Sequence, residues 1–304
     1  EMTYLYSDTY NKLENITVIL GDSHAFGSGD SFLNDDYNFS IGHLLYNNFN
    51  KKKNFLNVGI PGGGSQTIYN NYLNFKKKLN AKPEKIIYLF YEGNDLENNI
   101  KYKNNYKLTY KIKSEIKYYF PIIFLTRNLL RDLKSKIFKD YLKKNEYSNI
   151  ENKNQIYFKN NIENFNYHLQ SPPTELNEDD LNLSLNIFFD TLINLKKDTK
   201  EIILVYLPSP TSTLKLKNPV YFQKYFKNNS LTSVSNDELK RLSKKIRLKI
   251  KNFTLKEEIK FLDMPDILKK NSLKIKIYGP KDYKHFNKLG YSLISNHIYE
   301  NYHK

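Results

Sequence analysis

Five short apolar runs constrain this chain more than anything else in it: 16–20 (ITVIL), 54–58 (NFLNV), 85–91 (KIIYLFY), 201–207 (EIILVYL) and 259–263 (IKFLD). Each carries β-branched or aromatic residues, each is too short for an ordinary helix, and the runs read as strands covered on both faces. The stretches between them have helical spacing: 37–50, 65–79, 174–197, and 236–253 with Leu239, Leu242, Ile246 and Ile250 on one stripe. A last helix opens at 286–291 and ends near Tyr302. The order β-α-β-α-β, resumed after an interruption, predicts an α/β fold with a parallel, doubly wound sheet. In such a sheet the chemistry collects at the carboxyl ends of the strands.

The interruption runs from about 98 to about 197. Residues 107–144 are basic with a mostly helical pattern, and 118–130 (YYFPIIFLTRNLL) forms an apolar patch broken by Pro121, while 145–170 is Asn-rich and patternless. We read this block as a helical cap inserted over the rim of a single domain spanning 1–304. The patch could line an acyl pocket or touch a membrane surface or partner protein; packing against the core is the plainer reading. Residues 1–15 read as a polar lead-in and 211–233 as a loop.

Composition removes several classes. No run approaches the roughly 18 apolar residues of a membrane span. The absence of Cys excludes disulfides, thiolate nucleophiles and Cys-based metal sites together. A net charge of +16 would ordinarily raise nucleic acid as a partner, but Lys, Asn, Ile and Tyr are abundant from end to end and no nucleic-acid motif accompanies them, so none is expected. The compartment stays open. A periplasmic or other extracytoplasmic location is compatible with a chain that starts at Glu1, with an export signal or anchor outside this sequence.

Four loops carry candidate chemistry. Gly21 permits a tight exit from the first strand, and Ser23 falls where a helix could begin, so its hydroxyl would stand near free backbone N–H groups. Asp22 and Ser23 as mere helix caps explain that stretch equally well. Gly62-Gly63-Gly64 follows the second strand, where the backbone is approached closely or turned sharply; with no Gly-Lys-Ser/Thr after it, this is not a P-loop. Asp282 and His285 stand three apart in a loop introduced by Gly279-Pro280, so the carboxylate can fix the imidazole's tautomer while the other ring nitrogen points outward. Together they give Ser23 as nucleophile, His285 as base and Asp282 as its orienting group. The Ser23 N–H, the Gly62 N–H and the Asn94 side-chain amide would hold an oxyanion. Asp95 and Glu92 flank Asn94, and local hydrogen bonding in the loop is their plainer role. His43, His168, His297 and His303 have no partner at ligand spacing, so neither a metal nor a cofactor is expected.

In this order, Gly21-Asp22-Ser23, Asn57-Val58-Gly59-Ile60-Pro61-Gly62, Gly93-Asn94-Asp95 and Asp282-x-x-His285 with Asn287 and Gly290 resemble the four blocks of the SGNH hydrolases, also called GDSL-type esterases and lipases. The resemblance implies a flavodoxin-like SGNH-hydrolase fold with about five parallel strands between helices. It also implies a serine ester hydrolase working through an acyl-enzyme on an ester substrate, with an O-acetyl group on a carbohydrate or glycan as the first guess. With a sugar hydroxyl as acceptor instead of water, the same residues would serve an O-acyltransferase acting on a surface polysaccharide. A non-catalytic glycan- or lipid-binding module on this fold is the remaining alternative; the presence of Ser23, Asn94, Asp282 and His285 together argues against it. Two departures stand out. His24 occupies a position where the family often has Leu, outside the chemistry, and the glycines are over-supplied, so Gly63 or Gly64 could replace Gly62 as donor.

Overall fold

The computed structural model describes residues 4–6, 16–30, 39–79, 82–105, 154–165, 169–223, 231–280 and 282–303. In chain order the elements are β1 (Tyr4–Tyr6), β2 (Thr17–Gly21), α1 (Ser23–Phe26), α2 (Ile41–Asn48), β3 (Phe55–Gly59), α3 (Ser65–Leu79), β4 (Lys85–Tyr91), α4 (Asp95–Asn105), β5 (Asn154–Phe158), β6 (Asn161–Phe165) and α5 (Glu178–Lys196). They continue with β7 (Glu201–Leu207), α6 (Pro210–Thr213), β8 (Val220–Gln223), β9 (Leu231–Val234), α7 (Asn236–Lys256), β10 (Lys260–Asp263), α8 (Pro265–Ser272) and α9 (Lys288–Asn301).

The central sheet has the order β1-β3-β2-β4-β7-β10, with every pairing parallel except β1 against β3. Numbered along the chain, its five parallel strands lie 2-1-3-4-5. This is the flavodoxin-like order, with its topological switch between the first and third. The switch therefore falls between β2 and β4, so the loops after those two strands open onto the crevice where ligands bind in open α/β sheets.

Two helical layers follow from the period of two along a strand. Ile19, Phe55, Ile87, Leu89, Ile203 and Val205 face α2, α8 and α9, meeting Leu45, Leu268, Tyr291, Ile294 and Ile298. Val18, Leu20, Val58, Ile86, Tyr88, Ile202 and Leu204 point the other way, onto Ile68 and Tyr72 of α3, Leu185, Phe188 and Leu192 of α5, and Ile246 and Ile250 of α7. With both faces covered, β4 is buried from Ile86 to Tyr91, which is why its sequence reads as a continuous apolar run.

Three stretches differ from the sequence reading or refine it. The polar lead-in contains β1, a three-residue strand too short to show alternation, formed because β3 offers it a free edge. The expected loop at 211–233 holds α6 and the hairpin β8–β9. Within 98–197, α5 belongs to the layer on the sheet, and β5–β6 forms an antiparallel hairpin, not helix. That hairpin docks through the Ile156–Leu216 bridge into a satellite core with Leu169, Val220, Phe222 and Leu239. The patch 118–130 lies outside the described residues. Among the described residues no helix is long and apolar enough to cross a membrane.

The join between β3 and α1 leaves no space for a side chain: a Cβ on Gly59 would sit 2.2 Å from Phe26 N and 2.7 Å from Ala25 C. Gly62 has open space around it but a φ of +70°. Gly59→Ala is therefore expected to lower the unfolding free energy by at least about 2 kcal/mol through forced backbone movement. Gly62→Ala should cost only about 1–2 kcal/mol, from the left-handed conformation alone. Urea titration of both variants checks the order; equal losses would contradict the packing described.

Candidate active site

The turn that carries Ser23 is built by close packing. Gly21 leaves β2 at φ +151°, where a Cβ would lie 2.8 Å from Leu89 O, so the chain passes directly over β4. Asp22 caps α1: its Oδ1 accepts from the His24 N–H at 2.9 Å. Gly27, at φ +93°, closes the four-residue helix by donating its N–H to Ser23 O at 3.0 Å. Asn57, buried on β3, steadies the turn from the side by donating Nδ2 to Ala25 O at 2.7 Å while its Oδ1 accepts from the Gly59 N–H at 3.1 Å.

The C-terminal loop is held against this turn at three points. Tyr291 at the start of α9 donates its hydroxyl to Ser28 O at 2.6 Å. Gly29 touches Phe286 so closely that a Cβ there would be 2.5 Å from Phe286 O. Asp30 accepts the Asp282 N–H at 2.5 Å. Within the loop, Asp282 Oδ1 accepts the N–H groups of Lys284 at 2.8 Å and His285 at 3.3 Å, which curls the backbone and brings the imidazole to the carboxylate. His285 Nδ1 is 2.6 Å from Asp282 Oδ2, and His285 Nε2 is 2.9 Å from Ser23 Oγ. Because an ionised carboxylate only accepts, Nδ1 carries the proton and Nε2 presents its lone pair to the hydroxyl.

Charge is arranged unevenly around these groups. Burial pushes the Asp282 carboxyl up, but the hydrogen bond and charge of His285, with the two backbone N–H groups, outweigh it and hold Asp282 below the ordinary carboxylate value. Asp22 is fully buried and likewise ends low, burial being overcome by its bonds to His24 and by the neighbouring imidazoles. Burial is the larger effect on His24 and lowers its pKa despite the charge and hydrogen bond of Asp22. Asp95 goes the other way: burial and the charge of Asp22 lift it well above its usual range, while its Oδ2 accepts the Tyr91 N–H at 2.9 Å. Glu92 spends both oxygens locally, accepting from the Tyr206 hydroxyl at 3.0 Å and the Ser209 N–H at 2.9 Å.

Gly62 and Asn94 follow the two strands that flank β2, each about 5 Å away across the sheet. Pro61 and Gly62 occupy the central positions of a turn closed by the Gly63 N–H on Ile60 O at 2.9 Å, and the positive φ of Gly62 is what a type II turn demands there. That bond occupies the Gly63 N–H. Gly64 is packed against α4, where a Cβ would meet Asn99 Oδ1 at 2.8 Å. Asn94 is 8 % exposed, and its Oδ1 is buried without a hydrogen-bond partner.

The structure thus brings Ser23, His285 and Asp282 into one hydrogen-bonded chain, and Gly62 and Asn94 lie in the loops that follow the two strands flanking β2. Sequence reasoning named Asn57 only as part of the glycine block and missed Asp30; the roles of both depend on contacts with chain-distant backbone. The sequence reading places His24 outside the chemistry; its ring lies 3.8 Å from that of Tyr91 and 5.0 Å from that of His285, so it forms part of the surface beside the His285 ring. Among the described residues no group of three or more His, Asp or Glu side chains is gathered to hold a metal.

No family model and no curated protein matches the chain. Solved structures do. A protein assigned to the lipolytic G-D-S-L family from Desulfitobacterium hafniense DCB-2 superposes with a TM-score of 0.46 at 13 % identity, over 94 % of this chain and 99 % of that one. A catalytic mutant of Axe2, an acetylxylan esterase from Geobacillus stearothermophilus, gives a TM-score of 0.46 at 11 % identity, over 96 % and 95 %.

In the first turns of α4, burial lifts Glu97 to about 8, helped by the charge of Glu175 and opposed by Lys101. A carboxyl raised in this way contributes stability below its unfolded pKa and loses that contribution as pH climbs through its folded one. The melting temperature of the native chain relative to Glu97→Gln should therefore fall between about pH 5 and pH 9. A difference that stays flat across thermal melts in that range would contradict this environment.

Proposed function

We propose that this chain is a serine ester hydrolase of SGNH type that removes acyl groups, in the first instance O-acetyl groups, from a carbohydrate. The observation that carries the reading is the continuous chain Asp282–His285–Ser23, with donor–acceptor distances of 2.6 and 2.9 Å. The carbohydrate comes from the resemblance of the four sequence blocks to SGNH hydrolases.

In this mechanism Ser23 Oγ attacks the ester carbonyl as its proton passes to His285 Nε2, and the imidazolium formed is stabilised by the ionised Asp282. The carbonyl oxygen, now an oxyanion, is received by the Ser23 and Gly62 N–H groups and the Asn94 amide. Collapse of the tetrahedral intermediate expels the sugar alkoxide, which takes the proton from His285 and leaves the acyl group on Ser23. Water then repeats the sequence: its proton goes to His285, its oxygen to the acyl carbon, and the proton returns to Ser23 as the carboxylic acid departs. The low pKa of Asp282 matters because a protonated partner would not stabilise the imidazolium.

Hydrolysis of p-nitrophenyl acetate and longer p-nitrophenyl esters tests the reading. The native chain should favour the short acyl group. Ser23→Ala should lower kcat by at least about 10³-fold, as loss of a member of such a triad does. Asn94→Ala should cost about 10²- to 10³-fold, the usual effect of deleting one oxyanion donor. Turnover unaffected by Ser23→Ala would remove the hydroxyl from the mechanism.

A further inference from the structure

His24 is a polar ring in an apolar slot. It is fully buried, and its ring centroid lies 3.8 Å from that of Tyr91, 5.5 Å from that of Phe286 and 6.4 Å from that of Tyr291. Its Nε2 is closed off with no hydrogen-bond partner among the described residues. An apolar side chain would cost less in that slot, because a buried polar atom without a partner is unfavourable. With Nε2 sealed, the ring can neither touch a substrate nor exchange a proton with one, so what it does for the site passes through Nδ1. That atom lies 3.3 Å from Asp22 Oδ1.

Asp22 connects this ring to Ser23. Its Oδ1 accepts the His24 backbone N–H at 2.9 Å and, since an ionised carboxylate only accepts, the Nδ1–H of the ring as well. Burial pushes the Asp22 carboxyl up, and the charge and hydrogen bonds of His24 outweigh it. The other oxygen, Oδ2, is 3.2 Å from Ser23 Oγ. Ser23 therefore has two acceptors in reach, Asp22 Oδ2 at 3.2 Å and His285 Nε2 at 2.9 Å, and a single proton to give. Only the bond to His285 readies the hydroxyl for attack.

We propose that His24 is a positioning residue for the nucleophile: by donating Nδ1–H to Asp22 Oδ1 it fixes the carboxylate and draws its charge away from Oδ2, leaving the Ser23 proton to His285. The proposal rests on the serine-esterase reading and adds to it a residue that takes no part in bond breaking. Without the ring donor, only the backbone N–H holds Oδ1, and Oδ2 becomes the stronger competitor for the serine proton. Leu, common at this position in the SGNH hydrolases that the sequence resembles, fills the slot but supplies no donor. Gln fills it and does.

The test compares kcat/KM for p-nitrophenyl acetate in the native chain, His24→Leu, His24→Phe and His24→Gln, and repeats His24→Leu in an Asp22→Asn background, where the cap of α1 is kept. His24→Leu and His24→Phe should each lose about 10- to 100-fold, the scale of a misdirected reacting group. His24→Gln should stay within about threefold of the native chain, and His24→Leu should cost less than about twofold once Asp22 is Asn, because the effect runs through that carboxylate. Native rates in His24→Leu and His24→Phe overturn the proposal. So does a loss in His24→Gln as deep as in His24→Leu, or an undiminished loss in the Asp22→Asn background. Should the variants not fold, nitrogen NMR of the imidazoles in the native chain decides: His24 must carry its proton on Nδ1, and a ring protonated on Nε2 instead overturns the proposal. Turnover that needs Ser23 but is indifferent to His24 sinks the positioning role and leaves the esterase reading standing. Turnover indifferent to Ser23→Ala sinks the esterase reading itself.

Discussion

One hydrogen bond, 2.9 Å long, joins residues 262 positions apart in the chain, and most of the structure around the rim exists to make it possible. Ser23 is fixed by the sheet: β2 lies between β3 and β4, and glycines at 21 and 59 let the nucleophile turn settle where any side chain would collide. His285 is fixed by the last helix. Asn287 caps α9 with its Oδ1 on the Gly290 N–H at 3.1 Å, and α9 in turn lies against α2, where Asn48 reaches Ser295 at 3.1 Å. The segment 28–30 then clasps one to the other. His285, delivered by the far end of the chain, is thus supported both by α9, which packs into the same core as α2, and by the contacts of residues 28–30.

The carboxyl groups below the rim show how burial sorts like residues into different roles. Asp22 is held low by the charge and hydrogen bonds of His24, helped by His285, which outweigh its burial, whereas burial and the charge of Asp22 both push Asp95 up. Glu92, the third acid, is bound to β7's end and serves the packing of the sheet.

How much of this could be read from the residues depends on how local the cause is. The five parallel strands were legible because burial on both faces leaves a continuous apolar run; β4 and β7 begin and end where their sequences say. The strand β1 was not, since three residues carry no period and only the open edge of β3 creates it. The hairpins β5–β6 and β8–β9 were missed for a related reason, because each draws its stability from a satellite core assembled across chain-distant segments. At the site, Asp282 and His285 announce themselves by spacing, and Ser23 by following a strand. Asn57, Asp30 and the ring of His24 do not, because what they bind is backbone or a ring brought up by the fold. The glycine block lies between these cases. Its three glycines signal a special backbone, but only the bond from Gly63 to Ile60 shows that the Gly63 N–H is already engaged.

The central claim is that the Ser23 hydroxyl is activated by His285, and its most direct measurement is the rate and position of covalent labelling by a fluorophosphonate, followed by peptide mass spectrometry. The expected result is a single adduct on Ser23 in the native chain, formed at least about 100-fold more slowly in His285→Ala, since a serine without its base is a weak nucleophile. An adduct on another residue, or labelling of Ser23 at the same rate in both proteins, would contradict it.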